Sequence, residues 1–209
     1  MRMVSIVGSA VVSAAIFVGS VVAGQAATFN GIFSLSGTSF REPGLVMATS
    51  ATSGAFSFQL DTAGQSTTFD LFDIWATEKK VNGNNTRTSS LLAGLTLSSI
   101  GANGTVTGST TGHGGVIQYA SVAWGAPLVF NFANGGVLSI VLNDANFSYG
   151  LLGLGQGQAN GATIQATATL VAAPVPLPAS GLALLGALGG AAAFLRRRRR
   201  ANRVPDEQV

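Results

Sequence analysis

From residue 28 to residue 173 the chain alternates apolar and polar side chains with a period of two. Phe56, Phe58 and Leu60 alternate in GAFSFQLD, and Leu95 and Leu97 in LAGLTLSS. In TTFDLFDIWAT, Phe69, Leu71 and Asp73 run against Phe72 and Ile74. GGVIQYASVAW, PLVFNF and VLSIVLND follow, and Ile164, Ala166, Ala168 and Leu170 alternate in ATIQATATLVA. Such alternation, with β-branched and aromatic residues, predicts half-buried antiparallel strands. About nine to eleven strands fit, at the spacing of a sandwich. Asn134-Gly135-Gly136 marks the clearest hairpin, because Asn and Gly tolerate the positive φ of a tight turn. No helical stripe interrupts the pattern. The polar tracts 81–90 and 101–115 read as exposed loops or hairpin tips. The expected fold is therefore all-β, an antiparallel β-sandwich over residues 27–173, flanked by an N-terminal signal-peptide helix and a short C-terminal transmembrane helix.

The N-terminal segment has Arg2 in a short positive start, then an uncharged apolar run over residues 4–22. Gly24-Gln25-Ala26 follows, with small residues at the −3 and −1 positions of a cut after Ala26. This is the layout of a signal peptide covering residues 1–26, its cleavage point set by Ala26 and Ala27. A cut after Ala27 would put Gln25 at −3, which suits the shallow pocket of signal peptidase less well.

The C-terminal segment, residues 174–209, has three parts. Pro174, Pro176 and Pro178 enforce an extended stretch. Residues 181–195 carry no charge, and as a helix would span only about 22 Å of a hydrocarbon core of about 30 Å. Arg196, Arg197, Arg198, Arg199 and Arg200 then hold the far end on the cytoplasmic side. Val175, Pro176, Leu177, Pro178 and Ala179, followed by the apolar stretch and the arginines, resemble the VPLPA variant of the PEP-CTERM sorting signal. The resemblance implies processing by an exosortase, a membrane cysteine transpeptidase of exopolysaccharide-producing Gram-negative bacteria. It implies export through the inner membrane, a transient anchor with the domain outside, and delivery to the cell surface or beyond. Residues 201–209 extend further than the family's usual tail. Leu177-Pro178-Ala179-Ser180-Gly181 also looks like a sortase LPxTG signal with Ser in place of Thr, which would mean a wall-anchored protein instead.

Charge alters this picture in one respect. The whole chain has 11 basic and 8 acidic residues, a net of +3. The basic excess sits in the tail. Between residues 28 and 175 only Arg41, Lys79, Lys80 and Arg87 oppose Glu42, Asp61, Asp70, Asp73, Glu78 and Asp144, a net of −2. The middle of the chain therefore has no nucleic-acid footprint. With no cysteine, a disulfide, a thiolate metal site and a thiol nucleophile are all excluded.

The remaining chemistry is sparse. His113 is the only histidine and lies in a glycine-rich tract read as a loop, without an orienting carboxylate in sequence. Asp70 and Asp73, three apart on one strand, should face opposite sides, and with Glu78, Lys79 and Lys80 read as a solvated rim. Asp61, Asp70, Asp73 and Asp144, with backbone carbonyls, are candidate calcium ligands, with no calcium-loop spacing among them. Trp75, Tyr119, Trp124 and Tyr149 would form a sugar-stacking platform if exposed in a row, and otherwise pack in the core. Trp75 and Trp124 are the better candidates for sugar contact, since each ends or breaks an apolar alternation. The sequence reading thus assigns no catalytic residue, metal or cofactor. It expects a non-enzymatic exported surface or matrix protein associated with exopolysaccharide. Its partners would be signal peptidase, exosortase and, transiently, the inner membrane. The alternative is a carbohydrate-binding module.

Overall fold

The structure is a computed structural model that describes residues 27–174. The signal peptide, the 175–179 motif, the apolar segment 181–195 and the arginines 196–200 lie outside the described residues. Among the described residues no helix is long and apolar enough to cross a membrane.

The described residues are all-β. Eleven strands run β1 Ala27–Gly37, β2 Met47–Thr49, β3 Ser53–Leu60, β4 Ser66–Ala76, β5 Ser89–Leu97, β6 Ala102–His113, β7 Ile117–Trp124, β8 Leu128–Phe132, β9 Gly136–Leu142, β10 Ala145–Leu151 and β11 Ala162–Ala172. Three single-turn 3-10 segments are the only helical elements among them. The strands form two antiparallel sheets, a six-stranded one in the order β10-β7-β6-β5-β1-β3 and a five-stranded one in the order β2-β4-β11-β9-β8. Their inner faces enclose one core. Phe29, Phe33, Phe56, Phe58, Leu91 and Leu95 come from the larger sheet, and Phe72, Ile74, Ile140, Ile164 and Leu170 from the smaller. Phe56, Phe58 and Phe69 stack where β3 meets β4, with ring centroids 4.9 Å and 5.2 Å apart for the two pairs that include Phe69. This apolar interlock closes one side of the sandwich.

The hairpin expected at residue 134 joins β8 to β9. Asn134 and Gly135 take φ of 60° and 78°, while Gly136 is extended and already begins the strand. The tract 101–115 departs from expectation. It is not a loop but strand β6, paired with β5 and β7 along most of its length. Its inner positions are small because large ones are excluded. At Gly108 a Cβ would come within 2.6 Å of the Trp124 ring, and at Gly112 within 2.9 Å of the Asn85 carbonyl. Glycine here is a packing residue and not a turn signal.

Both chain ends leave the sandwich at one pole. Ala27 pairs with Leu60, the last residue of β3. The turn 61–65 follows, and Leu170 near the end of β11 exchanges backbone hydrogen bonds with Gly64 and Gln65, at 2.7 Å and 3.0 Å. At the opposite pole the longer connections gather. Asn85 donates to the Gly44 carbonyl, Gly112 to that of Asn85, and Leu154 to that of Lys79.

Candidate functional site

Two groups of chemistry-bearing side chains emerge, one on the outer face of each sheet. The first corrects the sequence reading of Asp70 and Asp73. Odd spacing on a regular strand puts two side chains on opposite faces. Between them β4 carries a bulge. Phe72 pairs with Ile164 and Asp70 with Gln165, so Leu71 is the extra residue. The phase shift turns Phe72 inward and leaves both aspartates facing out. Asp73 accepts from Thr163 Oγ1 and Gln158 Nε2, each at 2.7 Å. Asp70 accepts from Gln165 Nε2 at 2.8 Å. The hydroxyl of Thr163 and then the amide of Gln158 hold the Asp73 carboxyl below the ordinary carboxylate range, against a smaller opposing push from burial. Asp73 is therefore an anion at neutral pH, with its lone pairs already partly engaged.

Trp75 stands two residues further along the same face of β4, opposite Ala48 of the short edge strand β2. Asp70, Asp73 and Trp75 thus form one outward column, lined by Thr163 and Gln165 from β11 and by Gln158. Asp70 and Asp73 are also the only Asp, Glu, Lys or Arg within any of the eleven strands. The remaining charges among the described residues lie in connections, including Glu78, Lys79 and Lys80 at the far pole. The carboxylates, amides and indole of this column are hydrogen-bonding and stacking groups suited to a polyhydroxylated ligand.

The second group lies on the outer face of the six-stranded sheet. His113 ends β6 and does not lie in a loop. Its ring stacks on Tyr119 of β7 at 4.3 Å, and Tyr119 stacks on Tyr149 of β10 at 5.2 Å. The three rings cover one another, because neighbouring strands sit about 4.8 Å apart, close to a ring-stacking distance. A ladder stacked in this way turns ring edges to solvent. Tyr119 has neither face free for a sugar, while the outer face of Tyr149, 53% exposed on the edge strand, remains open. The four aromatics are therefore not exposed in one row, and the platform that such a row would make is not assembled.

His113 Nε2 lies 2.8 Å from Ser121 Oγ. Among the described residues no carboxylate bonds to His113, and Ser121 Oγ also reaches the Thr111 carbonyl at 3.4 Å. A serine–histidine contact without an orienting acid lacks the third member that fixes the base in catalytic triads.

Trp124 is placed apart from Trp75, on the other sheet. It shares the inner-face phase of Ala120 and Val122 and packs over Gly108. Its Nε1 is buried without a partner. That orientation contradicts the exposure expected of Trp124 and follows from the missing side chain at Gly108, which opens a slot for the indole. Asp144 accepts the Trp124 backbone N–H at 2.7 Å. The four aspartates considered as calcium ligands are dispersed, with Asp61 in the β3–β4 turn and Asp144 between β9 and β10. Among the described residues no three metal-ligating side chains cluster.

The tract 81–90 is mostly loop as expected, but Asn85 in it is only 1% exposed. Its Nδ2 donates to Gly44 O at 3.0 Å and to Glu78 Oε1 at 3.1 Å, and its Oδ1 accepts from Asn82 N at 2.7 Å. Glu78 in turn accepts from Val46 N at 3.0 Å. Glu78, read as part of a solvated rim, is thus a structural acceptor.

Comparison with protein-family models, with curated proteins and with solved structures gave no match.

Proposed function

We propose that the chain is an exported, non-enzymatic surface or matrix protein. Its β-sandwich is displayed outside the cell, and its tail is removed near residues 175–179 by an exosortase-type transpeptidase. The observation that carries this reading is the position of the two ends. Ala27, the first described residue, lies in β1, β11 ends at Ala172, and the two leave the sandwich at the same pole. Both emerge beside the 61–65 turn. A domain held by a signal sequence first and a C-terminal anchor afterwards would keep the same pole toward the membrane throughout. The charged connections around residues 41–42 and 78–87 would then face away from it. Intact-mass spectrometry of the mature protein tests the reading. The expected product starts at Ala27 and has lost residues 182–195. A mature protein that retains them would sink the proposal.

A second reading is favoured by the Asp70–Asp73–Trp75 column. It is the one charged and aromatic patch on an otherwise uncharged strand surface. In that reading it contacts exopolysaccharide, the indole covering a sugar ring and the carboxylates and amides accepting or donating to hydroxyls. Trp75→Ala should lower retention on the producing organism's own exopolysaccharide at least roughly fivefold, the loss of about 1 kcal/mol of stacking. Trp124→Ala, on the inner face, should change retention only to the extent that it destabilises the fold. Absence of retention for the unsubstituted domain rejects this second reading and leaves the processing proposal untouched.

A further inference from the structure

We propose that the outer edge of β3 pairs antiparallel with β3 of a second copy of this chain, joining two six-stranded sheets into one. The two sheets end in four edge strands, β10, β3, β2 and β8. Proteins blunt such edges, because a free row of backbone donors and acceptors recruits another strand. Three of the four are blunted here. β2 has three residues. β8 has five and follows Pro127 directly. β10 is broken by a bulge at Ser148, and Gly155 N–H donates to its carbonyl at 3.0 Å, laying the following loop over the edge.

β3 has none of these protections. It is eight residues long, and its register with β1 is unbroken from Ala27–Leu60 to Ser34–Ser53. It contains no proline and no charged residue, and its outward side chains are Ser53, Ala55, Ser57 and Gln59. Among the described residues no strand pairs on its other side.

The strand also suits a copy of itself. With Ser57 on a twofold axis, antiparallel pairing sets Phe56 against Phe58 of the second copy and Gly54 against its Leu60. Inner positions meet inner positions, with Phe56 set against Phe58 beside the existing Phe56–Phe58–Phe69 stack, while the space over Gly54 is already filled by the Phe33 ring. No like charges meet, since the strand has none. A heterologous partner would need no such internal match. Eight paired residues bury well under the ~800 Å² per partner of a standard interface, so the dimer is weak and forms at high local concentration. The twofold axis sends the termini of the two copies in opposite directions. Pairing therefore fits protein already released from the membrane, a consequence that rests on the processing proposed above.

The test uses residues 27–173, which contain the whole two-sheet core and neither sorting segment, so its failure is separate from failure of the processing reading. Light scattering coupled to size exclusion should show the mass rising with concentration toward twice the monomer. Ser57→Lys, which opposes two ammonium groups at the axis, should weaken the dimer at least roughly tenfold with an unchanged melting temperature. Ala55→Lys provides an independent second variant. Leu151→Lys, on the other edge and 74% exposed, should leave the dimer intact. A protein monomeric up to about 1 mM, the weak end of specific association, overturns the proposal. So does a dimer unaffected by both β3 variants, or one dissolved by Leu151→Lys alone.

Discussion

Replacing Arg196, Arg197, Arg198, Arg199 and Arg200 with serine is expected to leave export and N-terminal cleavage intact and to abolish C-terminal processing. In the proposed processing, the uncharged stretch 181–195 would span about 22 Å as a helix, short of a hydrocarbon core of about 30 Å. Glycine and alanine supply much of it, so hydrophobicity alone holds it weakly. Each arginine costs roughly 2.5–3.5 kcal/mol at the bilayer centre, and five in a row make passage of the tail prohibitive. In the proposed processing, serine would remove that stop, and the motif at 175–179 would no longer halt at a fixed depth. Fractionation and intact-mass spectrometry should find protein that retains residues 182–195, with a processed fraction near zero. Lysine at the same five positions should restore processing, because the stop depends on charge rather than on the guanidinium. An unchanged, trimmed product from the serine variant would remove the arginines from the mechanism.

The alternation of apolar and polar residues made most of the sandwich legible. It did so wherever one face is buried and the other wet, as in β3 and β11. The misreading of the two aspartates has a specific cause. A period of two carries no information about local breaks in phase, and the bulge at Leu71 is such a break. It put Asp73 on the same face as Asp70 instead of the opposite one, so the column with Trp75 could not be read from spacing. A second bulge, at Ser148, has the same consequence inverted. Ser148 Oγ turns inward and accepts from Ala76 N at 2.9 Å, while Tyr149 turns outward onto Tyr119.

Glycine and threonine in residues 101–115 misled for a different reason. Their strand propensity is judged against an average environment, whereas the inner face of β6 is pressed by Trp124 of β7, by Leu128 and Phe130 of the facing sheet and by the loop residues Leu45 and Val81. Trp124 fills the space above Gly108. The sequence signal that could have revealed this is the alternation of Gly104, Val106, Gly108, Thr110 and Gly112, five small or medium residues at period two. The scarcity of charge was visible at once, but its meaning was not. Only with the strand bounds known do Asp70 and Asp73 stand out as the sole charges on the sheets.

Asn85→Ala is expected to be the most damaging single polar substitution in the domain. The side chain is buried and makes three hydrogen bonds that join residue 82, the Gly44 carbonyl and the Glu78 carboxylate. Alanine leaves the buried Gly44 carbonyl without its partner and takes a donor from the Glu78 carboxylate. A stranded buried carbonyl costs about 1–3 kcal/mol and a hydrogen bond to a charged group is worth about 1.5–3 kcal/mol, so a loss on the order of 3 kcal/mol follows. For a domain of this size that lowers the melting temperature by roughly 6–12 °C. Asn85→Asp should not rescue. It keeps the acceptor for Asn82 N–H but replaces the donor to Gly44 O with a carboxylate oxygen and sets a second negative charge beside Glu78. Glu78→Gln combined with Asn85→Asp should recover part of the difference, because it removes the repulsion and offers a donor in return. Thermal unfolding of the four proteins measures the coupling directly. A melting temperature within 2 °C of the original for Asn85→Ala, well below the expected ~6 °C, would show that water replaces the lost partners and that the distal loops do not depend on this clamp.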